Sequence, residues 1–245
     1  MKTIYILWLR QLKRYSRSKS RIIGSLGQPL LFLLSLGYGF GPIFQKAGQG
    51  NYIQFLAPGI IGMSIIFTSI FSGIEIIWDR QFGFLKETLV APVSRFNIML
   101  GRTLGGATVA TFQGIIVFII SVIAGFRPTS WASIPATILV MLLVALLFTA
   151  LGTAIACILE DMQGFQLIMN FLVMPLFFLS GSLFPLQGSL LTIARFNPLS
   201  YGIDAFRFLL TNSSHFGLGL DIAVLSVVSL IFISIGSYLF SKIQI

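Results

Sequence analysis

The sequence predicts an all-α, polytopic membrane protein with six transmembrane helices, and three observations carry that prediction. Hydrophobic residues make up 56% of the chain and charged residues only 9%, outside the range of water-soluble domains. Apolar segments of more than about eighteen largely uncharged residues recur along the whole length, each long enough to cross roughly 30 Å of hydrocarbon. Basic side chains gather beside particular ends of those segments instead of spreading evenly. No linker, low-complexity tract or internal repeat divides the chain, so residues 1–245 read as a single membrane domain.

Residues 1–21 are basic and helix-like, with Ile4, Leu7, Trp8 and Leu12 at spacings of three and four. Arg10, Lys13, Arg14, Arg17, Lys19 and Arg21 fill most of the rest. Two readings stand: an interfacial helix with its apolar side in lipid and its cations against anionic headgroups, or a basic tail that only sets topology. The first span, about 22–43, contains Pro29 and the glycines Gly37, Gly39 and Gly41, tolerable where a neighbouring helix covers the backbone. It is too long for a cleaved signal core and is expected to stay in place as a start-transfer helix. The second, about 53–78, lies between Tyr52 and Trp78, both at interface depth. The third (104–126) and fourth (132–158) are joined by a tight turn through Arg127, Pro128 and Trp131. A polar turn from Glu160 to Gln163 leads to the fifth, about 164–184, which Pro175 is expected to kink. Residues 185–221 are only partly apolar, and the sixth span, about 222–241, ends at Lys242.

The basic residues set the orientation. With the N-terminus inside, the inner segments hold seven (1–21), four (79–102) and one (242), against four outside: Lys46, Arg127, Arg195 and Arg207. Twelve against four places both termini in the cytoplasm. The same topogenic placement accounts for the net charge of +9, so no nucleic acid is expected as a partner.

Several chemistries are excluded by what the chain lacks. The single Cys157 lies in an apolar span, so one chain builds neither a disulfide nor a thiolate metal site. His215 is the only histidine and has no neighbouring carboxylate or thiol, so no histidine-rich metal site is expected. No G-x-x-x-x-G-K-[ST] loop is present to cradle a nucleotide, and Leu179-Ser180-Gly181 is a chance likeness to a nucleotide-binding signature at the end of a span. Glu75 sits one turn before Asp79, near the inner end of the second span. A carboxylate at that depth is costly, so a structural or gating ion pair with Arg80 or an N-terminal basic residue is the first reading, and a gate latch or proton site the other. Gly101 and Gly105 form a G-x-x-x-G, with Gly152 and Ala156 a looser version, though 24 glycines make chance matches expected. Asn170 in the fifth span is placed to hydrogen-bond across helices or to line a pathway.

The loop from Asp79 to Arg95, DRQFGFLKETLVAPVSR, holds the strongest functional signal. A helix over 80–91 would set Phe82, Leu85 and Leu89 on one face, with Arg80, Lys86 and Glu87 offering charges around it. Pro92 would end it. From composition alone the ridge either inserts into a partner's groove or rests on lipid.

WDRQFGFLKETLVAPVSR, residues 78–95, resembles the signature of type-2 ATP-binding-cassette export permeases, in which this loop carries a coupling helix. SGSLFPLQGSLLTIARFNPLSYGIDAFR, residues 180–207, resembles the family's outer segment after the fifth span. The span count, the cytoplasmic termini and the basic N-terminal helix agree, and only the lack of a proline between Pro185 and Pro198 departs from many relatives.

The resemblance implies a non-catalytic subunit. Two such permeases, a second copy of this chain or a close paralogue, would pair with two cytoplasmic ATPase subunits that bind ATP and Mg. Arg80, Phe82, Gly83, Phe84, Leu85, Lys86 and Glu87 would contact the ATPase. Glu160 and Asp161 would be a second, lesser contact, with a solvated hairpin turn as the alternative. Short re-entrant helices in 185–221 would form an outer gate through Pro185, Asn197, Pro198, Tyr201, Asp204 and Arg207, the Asp204–Arg207 spacing allowing a pair. The expected location is the plasma membrane, and the expected substrate hydrophobic, drug-like or lipid-like, a lipid-linked glycan included. An ATP-independent secondary transporter or channel is the alternative. It calls for several intramembrane charges, and only Glu75 is found. An intramembrane enzyme would need clustered catalytic groups at membrane depth, which the chain does not supply.

Overall fold

Residues 2–46, 50–90 and 92–243 are described by the computed structural model, and among them the secondary structure is helical, with no strand. Eleven α-helices follow in order: α1 (Lys2–Arg17), α2 (Lys19–Lys46), α3 (Tyr52–Phe71), α4 (Ile74–Gln81), α5 (Phe84–Val90), α6 (Arg95–Ile123), α7 (Ile134–Ile158), α8 (Met162–Phe178), α9 (Ser189–Ala194), α10 (Pro198–Thr211) and α11 (Leu218–Ser241). Five stretches are long and apolar enough to cross a membrane: 22–46, 52–81, 95–123, 131–158 and 218–241. The expected fifth span is instead a shorter apolar helix, α8, of 17 residues. It stops before 184 because the chain turns at Ser180–Ser182, where both serine hydroxyls donate to the Phe177 carbonyl at 2.6 Å and cap the helix end.

Helix α3 is the axis of the bundle, packing against α2, α6, α7, α8 and α10. Its Leu56, Ile60, Met63 and Ile65 are fully buried, facing a core that includes Phe148 of α7, Phe165 and Phe177 of α8, and Phe206 of α10. Between apolar helices in lipid, attraction comes from close packing, which small residues permit. Gly152 of α7 is one such point: a Cβ there would fall 2.9 Å from Ile70 Cα on α3.

Helix starts are fixed by local chemistry. Asn51 accepts from Ile53 N (2.9 Å), Ser94 from Asn97 N (3.3 Å) and Asp161 from Gly164 N (2.7 Å), each satisfying an amide that the first turn leaves free.

Helix α1 runs to Arg17 and breaks at Ser18, short of the expected 21. Its Ile4–Leu7–Trp8 side faces protein. Gly101 and Gly105 of α6 lie beneath it, and a Cβ at Gly105 would meet the Gln11 side chain at 2.7 Å. Trp8 Nε1 donates to Thr108 Oγ1 (3.0 Å) and Tyr15 OH to Gln113 Oε1 (2.5 Å) across the same seam. The G-x-x-x-G at 101–105 thus seats the N-terminal helix.

The chain sorts its connections to two ends. At one lie α1, α4, α5 and the C-terminus of α11, where Arg95 donates to Ser241 O (2.6 Å) and Ile243 O (3.0 Å). At the other, Tyr52 OH donates to Leu183 O (3.0 Å) and Thr129 N to Leu210 O (2.8 Å), joining the start of α3 to the 181–183 turn and the 124–130 loop to α10.

Candidate functional site

The 79–95 segment does not form the single helix expected over 80–91. Helix α4 continues the second span to Gln81, and Gly83, at φ 81°, turns the chain in a conformation that side-chain-bearing residues rarely adopt. Helix α5 then starts afresh at Phe84. The break shifts the register, so Leu85 and Leu89 keep one face of α5 while Phe82, before the turn, is off it. Leu85 is 1% exposed and packs among Leu7, Ile98, Met99 and Phe240, with Leu89 and Val93 at the edge. Leu85 therefore roots α5 in its own chain and presents no contact surface. Facing outward instead are Phe82 (71% exposed), Phe84, Lys86, Glu87 and Val90 (82%).

Arg80 also turns inward. It donates to Cys157 O (3.1 Å) and Leu159 O (3.4 Å), satisfying carbonyls at the C-terminus of α7 where a cation is favoured, and reaches the Glu160 carboxylate at 3.9 Å. Gln81 Nε2 donates to Glu160 O (3.2 Å), and Trp78 Nε1 donates to Met162 Sδ. These links hold the α7–α8 turn beside α4, so Glu160 and Asp161, both exposed, stand on the same end as α5. Asp161 in addition caps α8.

Behind this face lies a buried charge cluster that the sequence foreshadowed only through Glu75. Asp79 Oδ2 accepts from Arg102 at 2.5 Å, with both side chains nearly sealed from solvent, and Asp79 Oδ1 accepts from Arg10 at 3.4 Å. Glu75, 3% exposed, pairs with Arg14 at 3.6 Å; the expected partner from the N-terminal segment is the one found, and Arg80 is not. The groups surround a void of only about 10 Å³, so the cluster is packed. Two outer side chains tie it to the exposed face: the Arg10 guanidinium lies over the Phe84 ring (5.9 Å) and that of Arg14 over Trp78 (5.4 Å). Arg102 does not flank a third span starting at 104: α6 starts at Arg95 and carries Arg102 inside. Glu75 and Asp79, four apart on one helix, were the available signal.

At the opposite end, the expected gate residues are ordered but do not pair as expected. Asp204 accepts from Ser214 Oγ (2.8 Å), His215 N (2.9 Å) and Phe216 N (2.9 Å), holding the turn into α11. Arg207 points elsewhere, donating to Gly181 O (2.7 Å) and lying 4.0 Å over the Phe55 ring. Tyr201 OH donates to Arg195 O (2.7 Å). Asn197 caps α10 through Leu199 N (3.0 Å) and donates to Leu176 O (2.6 Å), with Pro198 in the first turn. Pro185 is half-buried in the turn before α9. Asp221, in the first turn of α11, is fully buried with neither carboxylate oxygen hydrogen-bonded among the described residues, and lies just outside the span expected from 222. Among the described residues no three His, Cys, Asp or Glu side chains converge to hold a metal.

Comparison with known proteins gives this arrangement a context. A family model described as ABC-2 type transporter matches residues 2–211. A transport permease, ycf38, of Cyanophora paradoxa is 30% identical across 98% of this chain and 88% of its own length. The ycf38 permease of Porphyra purpurea is 31% identical across 80% and 70%. Nodulation protein J of Rhizobium leguminosarum bv. trifolii is 28% identical across 83% and 76%.

Proposed function

The chain belongs to the ABC-2 type transporter family, and from that premise we propose that it is the permease subunit of an ATP-driven exporter. Two copies, or this chain and a paralogue, enclose the translocation path. ATP and Mg are bound and ATP hydrolysed in a separate cytoplasmic subunit. The observation that carries the proposal is the outward face of α4–α5. Phe82, Phe84 and Val90 expose apolar surface that an isolated soluble end would not favour, flanked by Lys86 and Glu87 and adjoined by Glu160 and Asp161. An apolar ridge rimmed by charges suits a groove on a soluble partner. Because α3 and α4 together make one apolar stretch, 52–81, movement of the docked partner would reach the core along one nearly continuous rod.

In this reading α8 is the fifth of six crossings. Its 17 residues rise about 26 Å, and tilt or local thinning of the bilayer accommodates the difference. Its exposed side carries Gln163, Gln166 and Asn170, amides that are disfavoured against lipid and that favour burial against a second copy or along the path. Both termini, with α1, α5 and the α7–α8 turn, lie in the cytoplasm; α9 and α10 re-enter from the outer side and gate the exit. The substrate is hydrophobic, drug-like or lipid-like, in keeping with an apolar interior that holds few charges away from its two ends.

The test is a variant that alters only the outward face. Glu87→Lys with Phe82→Ala is expected to leave the permease inserted while substrate-stimulated ATP turnover of the complex falls at least tenfold. Unchanged turnover would refute the docking assignment.

A further inference from the structure

We propose that the outward flank of α1 is a binding site for the headgroup of an anionic phospholipid. Arg10, Lys13, Arg14 and Arg17 line an open groove of about 560 Å³ together with Ile6 and Leu9. Positions 6, 9, 10, 13, 14 and 17 follow helical spacing, so the four cations and two aliphatic side chains share one flank. Among the described residues no carboxylate lines it. Arg10 and Arg14 each use part of their guanidinium on the buried acids Asp79 and Glu75. The side chains of Lys13 and Arg17 make no ion pair or hydrogen bond among the described residues. The flank therefore carries uncompensated positive charge beside exposed apolar surface, and Ile6 is 62% exposed. A phospholipid offers both complements at once, a phosphate for the cations and acyl chain for Ile6 and Leu9.

Position favours lipid over an acidic protein surface. The chain breaks at Ser18 and re-enters helix at Lys19, and the first apolar stretch starts at Ile22. Arg17 lies five positions before that stretch, a rise of about 8 Å, so the C-terminal half of α1 lies at headgroup height. This step rests on the membrane placement given above. The site also has a route to the docking face: Arg10 touches groove, Asp79 and the Phe84 ring, and Arg14 touches groove, Glu75 and Trp78. A bound phosphate would share these guanidinium groups with the buried acids, so occupancy would set how firmly α4 and α5 are held.

The experiment uses the full-length permease in nanodiscs of phosphatidylcholine with and without phosphatidylglycerol, with native mass spectrometry of retained lipid. The comparison is Lys13→Gln/Arg17→Gln, whose side chains hold nothing else in place. The wild type is expected to retain phosphatidylglycerol selectively, and the variant to bind it about thirtyfold more weakly, each basic side chain at an anionic surface contributing roughly fivefold. Equal retention by both proteins, or no preference for phosphatidylglycerol, would overturn the proposal. If the variant keeps its lipid but loses the ATPase subunit on co-purification, the groove is a protein contact and the lipid assignment fails. The lipid measurement needs no transport, so its failure leaves the exporter reading standing, and failure of that reading leaves lipid retention measurable.

Discussion

Removing Asp79 should cost about twice as much as removing its partner Arg102, and the asymmetry follows from who else is present. Arg102 is 5% exposed, its ion pair is with Asp79, and among the described residues its Nε and second terminal nitrogen already lack partners. Asp79→Leu would leave that guanidinium buried without a counter-charge, a situation that costs about 3–5 kcal/mol. Arg102→Met leaves Asp79 with Arg10 at 3.4 Å, so the loss is closer to that of one charged hydrogen bond, about 1.5–3 kcal/mol. For a chain of this length each kcal/mol moves the unfolding midpoint by roughly 2–4 °C, giving a fall on the order of 10 °C for Asp79→Leu and about half that for Arg102→Met. The double variant replaces a buried pair by apolar groups and should recover most of the loss. The assay is thermal unfolding in mild detergent followed by fluorescence-detected size exclusion. The reasoning is refuted if Arg102→Met is as damaging as Asp79→Leu, or if the double variant is no more stable than Asp79→Leu.

Gly105→Leu should lift α1 from α6, because a Cβ there already meets Gln11 at 2.7 Å. A loss of about 1–3 kcal/mol and faster proteolysis near residues 1–17 are expected, whereas Gly39→Ala, with open space around it, should change neither. Asp204→Asn should weaken the charged acceptor for Ser214, His215 and Phe216 by about 2 kcal/mol and speed amide exchange at His215 and Phe216; exchange as slow as in the wild type would contradict that role.

Much of the fold was legible because spans are written in composition. Four of the six expected spans coincide with long apolar stretches to within a few residues, and a fifth, 104–126, matches at its outer end only. That helix was misjudged at Arg102, since a charge inside a helix looks like a boundary until its buried partner is known. The end of α8 was misplaced because Leu179 to Phe184 is as apolar as the helix before it, and two serines bonding one carbonyl decide the stop. In the 79–95 segment Gly83 changed the register, and register decides which side chains face out. Asp204 and Arg207 show the same limit: helical spacing permits a pair, while Gly181 and the 214–216 amides offer each a better partner. Glu75 was legible through its cost. The partner Arg14 lies 61 positions earlier, and only packing of α1 on α6 brings it near.

The central claim is that this chain works with a separate ATPase docked on α4–α5. The measurement that tests it most directly is purification of the chain from its native membrane in mild detergent, with mass spectrometry of what remains bound. The account predicts a stoichiometric partner bearing a Walker-type nucleotide-binding sequence, lost when Phe82 and Glu87 are substituted. A chain that purifies without such a partner, under conditions that preserve comparable complexes, would contradict it.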